Sequence, residues 1–303
     1  MSRTPQQDER YGVFTGLSAY LMWGLLPLFW PLLKPAVAFE ILGHRIIWSL
    51  LFVIVLMFLT RSWPVVKQTL KNKKRAWLIV LASFFVATNW GVYIWAVNDN
   101  HVVETSLGYF INPLVSVLIG TVFFQERLRT FQKIAVGIAA LAVIILSFDY
   151  GRLPWIALVL AASFGIYGGL KKQINLPAIP GLMMETVLLL PITLIYLSWL
   201  YQNSEAVLLS SKTLLILAII SGPLTALPLL LFGTATTRVP LTWLGVMQYV
   251  APTLQFIIGV TVFSETLSTV KVIGFLIVWS ALAIFSFDAW RTSRTKSSLT
   301  STP

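Results

Sequence analysis

Ten apolar runs, each close to the length of a membrane-spanning helix, leave this chain little choice of solvent. They cover residues 12–33, 40–60, 76–98, 104–124, 131–149, 153–170, 181–201, 213–233, 241–263 and 270–288. A helix needs about 20 apolar residues to cross roughly 30 Å of hydrocarbon. The connections are short, and the longest, 61–75, has no hydrophobic pattern of its own. Composition agrees: 11% of residues are charged, where soluble proteins carry about 25%. The expected fold class is all-α integral membrane, with ten transmembrane helices and no separate soluble domain. The first run is too long for a signal peptide, contains two prolines and lacks a small-residue cleavage site after it.

The basic residues orient these spans. With the N-terminus inside, Arg3, Arg10, Arg61, Lys67, Lys71, Lys73, Lys74, Arg75, Arg127, Arg129, Lys133, Lys171, Lys172, Arg238, Arg291, Arg294 and Lys296 fall on the cytoplasmic side. Lys34, Arg152, Lys212 and Lys271 fall outside, and Arg45 lies within a span. That asymmetry follows the positive-inside rule and puts both termini in the cytoplasm. The net charge of +11 is therefore assigned to loops rather than to nucleic-acid binding. The chain has no cysteine and two histidines, His44 and His101. No disulfide framework, iron–sulfur cluster or thiolate zinc site is expected, and no cofactor.

Shifting the chain by 139 residues lays its second half on its first. Pro113 falls on Pro252, Gly120 on Gly259, Phe124 on Phe263, Glu126 on Glu265, Leu128 on Leu267 and Thr130 on Thr269. Ser147, Phe148 and Asp149 then meet Ser286, Phe287 and Asp288. A weaker echo at about 141 places Trp23 and Gly24 on Phe164 and Gly165. The offset is five spans, an odd number, so the second copy enters the membrane inverted. Inverted repeats point to a secondary transporter with its site near the midplane. The organisation expected is a cytoplasmic tail over 1–11, repeats over 12–149 and 153–288, and a cytoplasmic tail over 289–303.

In the fourth span Ser106, Tyr109, Pro113, Ser116 and Gly120 share one helical stripe; in the ninth the stripe is Gly245, Gln248, Pro252, Gln255 and Gly259. Amides and hydroxyls on such a stripe are expected to face the bundle interior or a water-filled cavity rather than acyl chains. The glycines fit close helix packing better, as do the GxxxG pairs Gly12–Gly16 and Gly165–Gly169. Asn89 and Tyr93 share a face of the third span with Trp90 beside them, Tyr167 is mid-way along the sixth, and Thr225 lies between Pro223 and Pro228 in the eighth. Aromatic rings with a few amides suit a partly apolar or cationic solute. Trp63, Trp155 and Trp290, near span ends, fit interfacial anchors better.

Two charges fall within spans. Arg45, near the outer end of its span, is expected to snorkel or to pair with an outer acid such as Glu40, Asp99 or Glu104. Glu185, near the cytoplasmic end of its span, is expected to meet Lys171, Lys172 or Arg238. Gate-side structure is one role for this pair; proton coupling or solute contact is the other. Glu126 and Glu265 fall in turns and fit structural roles. No P-loop, HExxH or GxSxG motif is present in the sequence.

The stretch NWGVYIWAVNDNHVVETSLGYFINPLVSVLIGTVFFQERL at 89–128 resembles the RarD branch of the EamA-type drug/metabolite transporter superfamily. So do 222–267, EILGHRIIWS at 40–49 and METVLLLP at 184–191. The resemblance implies two inverted five-helix repeats, a bacterial inner-membrane location and a central cavity that opens alternately to each side. The expected function is secondary active transport of a small organic solute, drug-like and amphipathic or amino-acid-like, by a monomer or homodimer in the lipid bilayer. Candidate substrate-binding residues are Asn89, Trp90, Tyr93, Tyr109, Asn112, Tyr167, Gln248, Tyr249 and Gln255. Arg45 and Glu185 are candidates for coupling or gating, and Pro113, Pro223, Pro228 and Pro252 for bending. A non-transporting membrane scaffold and, less favoured for want of a clustered nucleophile or acid/base pair, a membrane-embedded enzyme are the alternatives.

Overall fold

A computed structural model of the chain describes residues 5–124, 129–149, 152–236, 238–239 and 247–300. Glu126, Leu128 and Gly245 lie outside the described residues, as does the side chain of Pro113. Among the described residues the regular structure is helical, with no strand.

The helices are α1 (Pro5–Leu25), α2 (Ala38–Thr60), α3 (Trp63–Leu70), α4 (Lys73–Asn98), α5 (Val102–Phe124), α6 (Thr130–Asp149), α7 (Trp155–Ile174), α8 (Ala178–Gln202), α9 (Lys212–Thr236), α10 (Val250–Thr261) and α11 (Thr269–Thr300). Among the described residues, five segments are long and apolar enough to cross a bilayer: Gln7–Leu28, Ala38–Thr60, Lys73–Asn98, Ala178–Gln202 and Lys212–Ala235. Lys133–Leu146, Trp155–Lys171, Val250–Thr261 and Thr269–Ala281 are shorter apolar helical stretches.

Three local departures from the sequence reading have simple causes. The first apolar run is not one helix to residue 33; Pro27 and Pro31 convert its end into 3-10 turns at Leu26–Leu28 and Trp30–Leu33. The connection 61–75 contains α3, with Pro64 tolerated in its first turn. In the ninth run the chain turns at Gln248 and Tyr249 before α10 starts, which puts Pro252 in the first turn of a helix, where its missing N–H is not needed.

The core is mainly apolar, but the outer surface is apolar too and several charged or amide side chains are buried. Glu40, Arg45, Asn89, Glu104, Glu185 and Gln255 are all buried. Phe14, Phe58, Phe84, Ile192, Ile195 and Phe148 lie exposed on the outside. A surface of this kind is stable against lipid and not against water.

The principal helix packings join α5 to α7, α4 to α7, α2 to α9, α1 to α9, α2 to α8, α4 to α8, α5 to α10, α1 to α10 and α6 to α11. One of these approaches is unusually close. A methyl group placed on Gly222 of α9 would overlap the Trp48 backbone of α2. Only glycine lets the backbones meet this way, and Ser49 then reaches across to donate to the Gly222 carbonyl at 3.2 Å.

Candidate functional site

The packing of α1, α2, α4, α5, α7, α9 and α10 leaves a central cavity of about 130 Å³. That is the order of an engineered cavity of about 150 Å³ that takes up benzene. Its walls are mainly aromatic. Tyr20 and Trp23 come from α1, Trp90 and Tyr93 from α4, Tyr109 from α5, Phe164 and Tyr167 from α7, and Phe232 from α9. Polar groups reach it from Arg45, Asn89, Thr225, Gln248 and Gln255.

Of the nine candidate substrate-binding residues, Asn89, Trp90, Tyr93, Tyr109, Tyr167, Gln248 and Gln255 line this space. Asn112 and Tyr249 do not. Asn112 is buried away from the cavity and lies about 100° round the helix from Pro113. Tyr249, adjacent to Gln248, is turned toward the apolar group that includes Phe110 and Phe275. Both are one position off the stripe that marked their neighbours.

The polar wall is partly committed to the protein itself. Asn89 donates through Nδ2 to the Leu160 carbonyl at 3.0 Å and to Ser163 at 3.1 Å. Its Oδ1 accepts from the Tyr109 hydroxyl at 3.2 Å, so this one amide ties α4 to α7 and α5. Gln255 donates to the Trp23 carbonyl at 3.1 Å. That carbonyl lies one turn before Pro27, which has no N–H to offer it. Gln255 Oε1 and the Tyr93 hydroxyl, by contrast, are buried with no hydrogen-bond partner among the described residues. Tyr93 and Tyr109 meet edge to face with ring centroids 5.7 Å apart.

Arg45 requires a correction. It does not snorkel and does not pair with an outer acid. Glu40 accepts from the Val207 and Leu208 N–H groups at 2.8 and 2.7 Å. Asp99 pairs with His101 at 3.2 Å, and Glu104 with Arg152 at 3.0 Å. Five residues separate Glu40 from Arg45, which turns them about 140° apart on one helix. Arg45 instead points inward, 4% exposed, seven residues into α2 or about 10 Å along its axis. Its Nε donates to Thr225 Oγ1 at 2.6 Å. The guanidinium carbon lies 4.2 Å from the centre of the Trp90 ring and 5.2 Å from that of Trp30. Nη1 has no hydrogen-bond partner among the described residues. Stripping an ion of water costs several kcal/mol, and a desolvated cation–π contact returns about 2 kcal/mol. The charge is therefore only partly compensated by its own surroundings.

The side chain of Lys172 lies outside the described residues; Glu185 meets Lys171, another of the cations expected for it. Its Oε1 lies 2.7 Å from Lys171 Nζ and its Oε2 accepts from the Tyr167 hydroxyl at 3.0 Å. Tyr167 thus joins the cavity wall to a part-buried ion pair behind it. Pro252 lines the cavity. Helices α5 and α9 continue through Pro113 and through Pro223 and Pro228.

At the edge of the same helices, Glu265 caps α5. Its carboxylate accepts from the Val102 N–H at 2.6 Å and from the Val103 N–H at 3.1 and 3.2 Å. Burial pushes the Glu265 carboxyl up from the ordinary carboxylate range, against the opposing pull of those two N–H groups and of His101 and Lys271. The sequence placed Glu265 in a turn; its partner, on a helix 163 residues away, had no signature to find.

The EamA-like transporter family profile matches residues 10–148. Protein RarD of Streptomyces exfoliatus is 46% identical over 292 residues, covering 95% of this chain and 92% of that protein. The uncharacterized transporter YojE of Bacillus subtilis is 44% identical over 294 residues, covering 96% and 98%. Protein RarD of Escherichia coli is 40% identical over 289 residues, covering 95% and 98%. A solved crystal structure superposes with a TM-score of 0.61 at 17% identity, over 93% of this chain and 98% of that one, a likeness of fold. Matches of this identity and coverage show that the chain belongs to the EamA-like transporter family, as a RarD-type member.

Proposed function

We propose that the protein is a secondary active carrier that moves a small organic solute, drug-like and amphipathic or amino-acid-like, across a bacterial inner membrane by alternating access. One observation carries this reading: a single aromatic cavity whose walls come from both halves of the chain. Arg45, Asn89, Trp90, Tyr93 and Tyr109 precede residue 150, whereas Phe164, Tyr167, Thr225, Gln248 and Gln255 follow it.

The pattern of helix packing supports two inverted five-helix repeats over 12–149 and 153–288. Take α1, α2, α4, α5 and α6 as one set, and α7, α8, α9, α10 and α11 as the other. Exchanging the sets turns the α5–α7 packing into α10–α1, α4–α7 into α9–α1, and α2–α9 into α8–α4, all of which occur. The α2–α8, α5–α10 and α6–α11 packings map onto themselves. In this reading all ten helices span the bilayer and both termini are cytoplasmic. The repeats rock about the cavity, with Pro113, Pro223, Pro228 and Pro252 as bending points. Glu265 on the α5 N-terminus then closes the outer side, and Lys171 with Glu185 the cytoplasmic side. Glu185 is the coupling carboxyl, because its bond to Tyr167 links a carboxyl group to the cavity wall. The working unit is a monomer or a homodimer.

The test is a thermal-shift screen of the purified protein against amino acids, amines, nucleosides and amphiphilic drugs, followed by flux into proteoliposomes. Binding at 100 times the dissociation constant stabilises by about 2.7 kcal/mol. A solute whose shift and flux both disappear in Tyr109→Ala supports the cavity. Flux that persists at the parent rate in that variant removes the cavity from the transport path.

A further inference from the structure

Arg45 is the charged residue in the wall of the central cavity, and nothing in the protein neutralises it among the described residues. The outer acids do not reach it: Glu40 accepts through Oε1 from the Val207 and Leu208 N–H groups and is not paired with Arg45, and Glu104 pairs with Arg152. Glu185, behind the cavity, is held by Lys171 and Tyr167. The guanidinium itself is pinned, with Nε on Thr225 and one face on Trp90. Arginine presents five N–H donors in a rigid fork. With Nε occupied, the pair at the Nη end is what remains, and Nη1 is buried without a partner. A fork of that shape fits the two oxygens of a carboxylate.

We infer that the cavity takes an organic anion, a monocarboxylate carried on a flat apolar body, with the carboxylate on Arg45 and the body among the aromatic rings. The inference rests on the carrier reading above and names its substrate class. Two features select this class. The space of about 130 Å³ is of the order that takes one ring and a short chain. Among the described residues its polar lining offers Asn89, Tyr93, Thr225, Gln248 and Gln255 but no carboxylate, so a cationic group on the solute would face Arg45 without a counter-charge. The anion also solves the protein's own problem, since it supplies the charge that the cation–π contacts with Trp90 and Trp30 replace only in part.

The experiment is calorimetric titration of the full-length protein in nanodiscs with phenylpropionate, phenylpropionamide and phenylpropylamine, near neutral pH. The three share a body and differ in charge. Phenylpropionate is expected to bind at least about tenfold more tightly than the amide, and the amine more weakly than both. Arg45→Gln is expected to bring carboxylate and amide to the same affinity, while Arg45→Lys keeps the sign of the preference. Should Arg45→Gln fail to fold, the parent protein's discrimination between acid and amide decides the matter. Equal binding of acid and amide in the parent, preference for the amine, or no saturable binding of the acid at about 10 mM overturns the proposal. So does a preference that survives in folded Arg45→Gln. Proteoliposome flux separates this from the carrier reading. A carboxylate that binds at Arg45 but is not moved keeps the anion site and removes the carrier. A neutral or cationic solute that is moved, with no carboxylate bound, does the reverse.

Discussion

Tyr167 donates its hydroxyl to Glu185 Oε2 at 3.0 Å, and by that bond a carboxylate with no face on the cavity is joined to the cavity wall. The other carboxylate oxygen lies 2.7 Å from Lys171 Nζ. In the coupling role proposed for Glu185, this bond is the path from the carboxyl to the cavity wall.

Glu185→Gln separates coupling from binding. The amide oxygen still accepts from Tyr167 or Lys171, but the group no longer takes up or releases a proton. Solute exchange across proteoliposomes is expected to continue, and the extra accumulation driven by an imposed pH gradient to vanish. A variant that responds to the gradient as the parent does would sink the coupling role.

The Asn89 amide makes three hydrogen bonds to two other helices, so its loss is expected to be felt as stability before it is felt as affinity. Asn89→Ala leaves the Tyr109 hydroxyl, the Leu160 carbonyl and Ser163 each short of a partner. A loss of about 1–3 kcal/mol is expected. Tyr109→Phe removes one of those bonds and is expected to cost about 0.5–1.5 kcal/mol. Unfolding midpoints of the two single variants and the double variant check this. The double variant should fall short of the sum, because both single changes break the same Asn89–Tyr109 bond.

Much of this architecture was legible in the sequence, and the gaps have identifiable causes. The spans of α2, α4, α8 and α9 follow from apolar runs, and the places of Tyr109, Gln248, Pro252 and Gln255 on the cavity agree with spacing at three and four residues. Seven of the nine named residues sit on the cavity because a large polar group in an aliphatic helix has few other places to go. Asn112 and Tyr249, next to stripe residues, do not line it, since one residue of helix is a 100° turn. Arg45 was misplaced for a different reason. Its surroundings are Thr225, 180 positions away, and the rings of Trp90 and Trp30. Charge arithmetic along one helix finds an acid nearby and pairs the two. It carries no information about a hydroxyl and a ring brought in by tertiary packing.

Two glycines should respond with opposite signs to the same substitution. Gly222→Ala forces α9 off α2, where a methyl would overlap the Trp48 backbone; overpacking of this kind costs about 1–3 kcal/mol. The shift also pulls Thr225 from Arg45, so binding should weaken with stability. Gly137, within α6, has nothing within 4 Å of an added Cβ. Gly137→Ala is therefore expected to gain about 0.5–1 kcal/mol from the helix backbone alone. Thermal unfolding of both variants in one detergent checks the pair. A destabilised Gly137→Ala would mean that α6 is packed against something not seen here.

Glu265 gives a pH dependence whose sign follows from its burial. Its carboxyl is pushed up in the folded protein, against the bonds from the Val102 and Val103 N–H groups. Between the ordinary carboxylate range and that raised value the folded chain holds a proton that the unfolded chain has released. More protons on the folded side means that stability falls as pH rises through this window, and the loss is complete above it. Glu265→Gln cannot ionise, yet its side-chain oxygen still accepts from the end of α5. The variant's unfolding temperature should therefore fall less than the parent's as pH rises through the carboxylate range and just above it. A parent whose stability rises across that window relative to Glu265→Gln would show that the two N–H groups outweigh burial. The outer cap would then be strongest when charged.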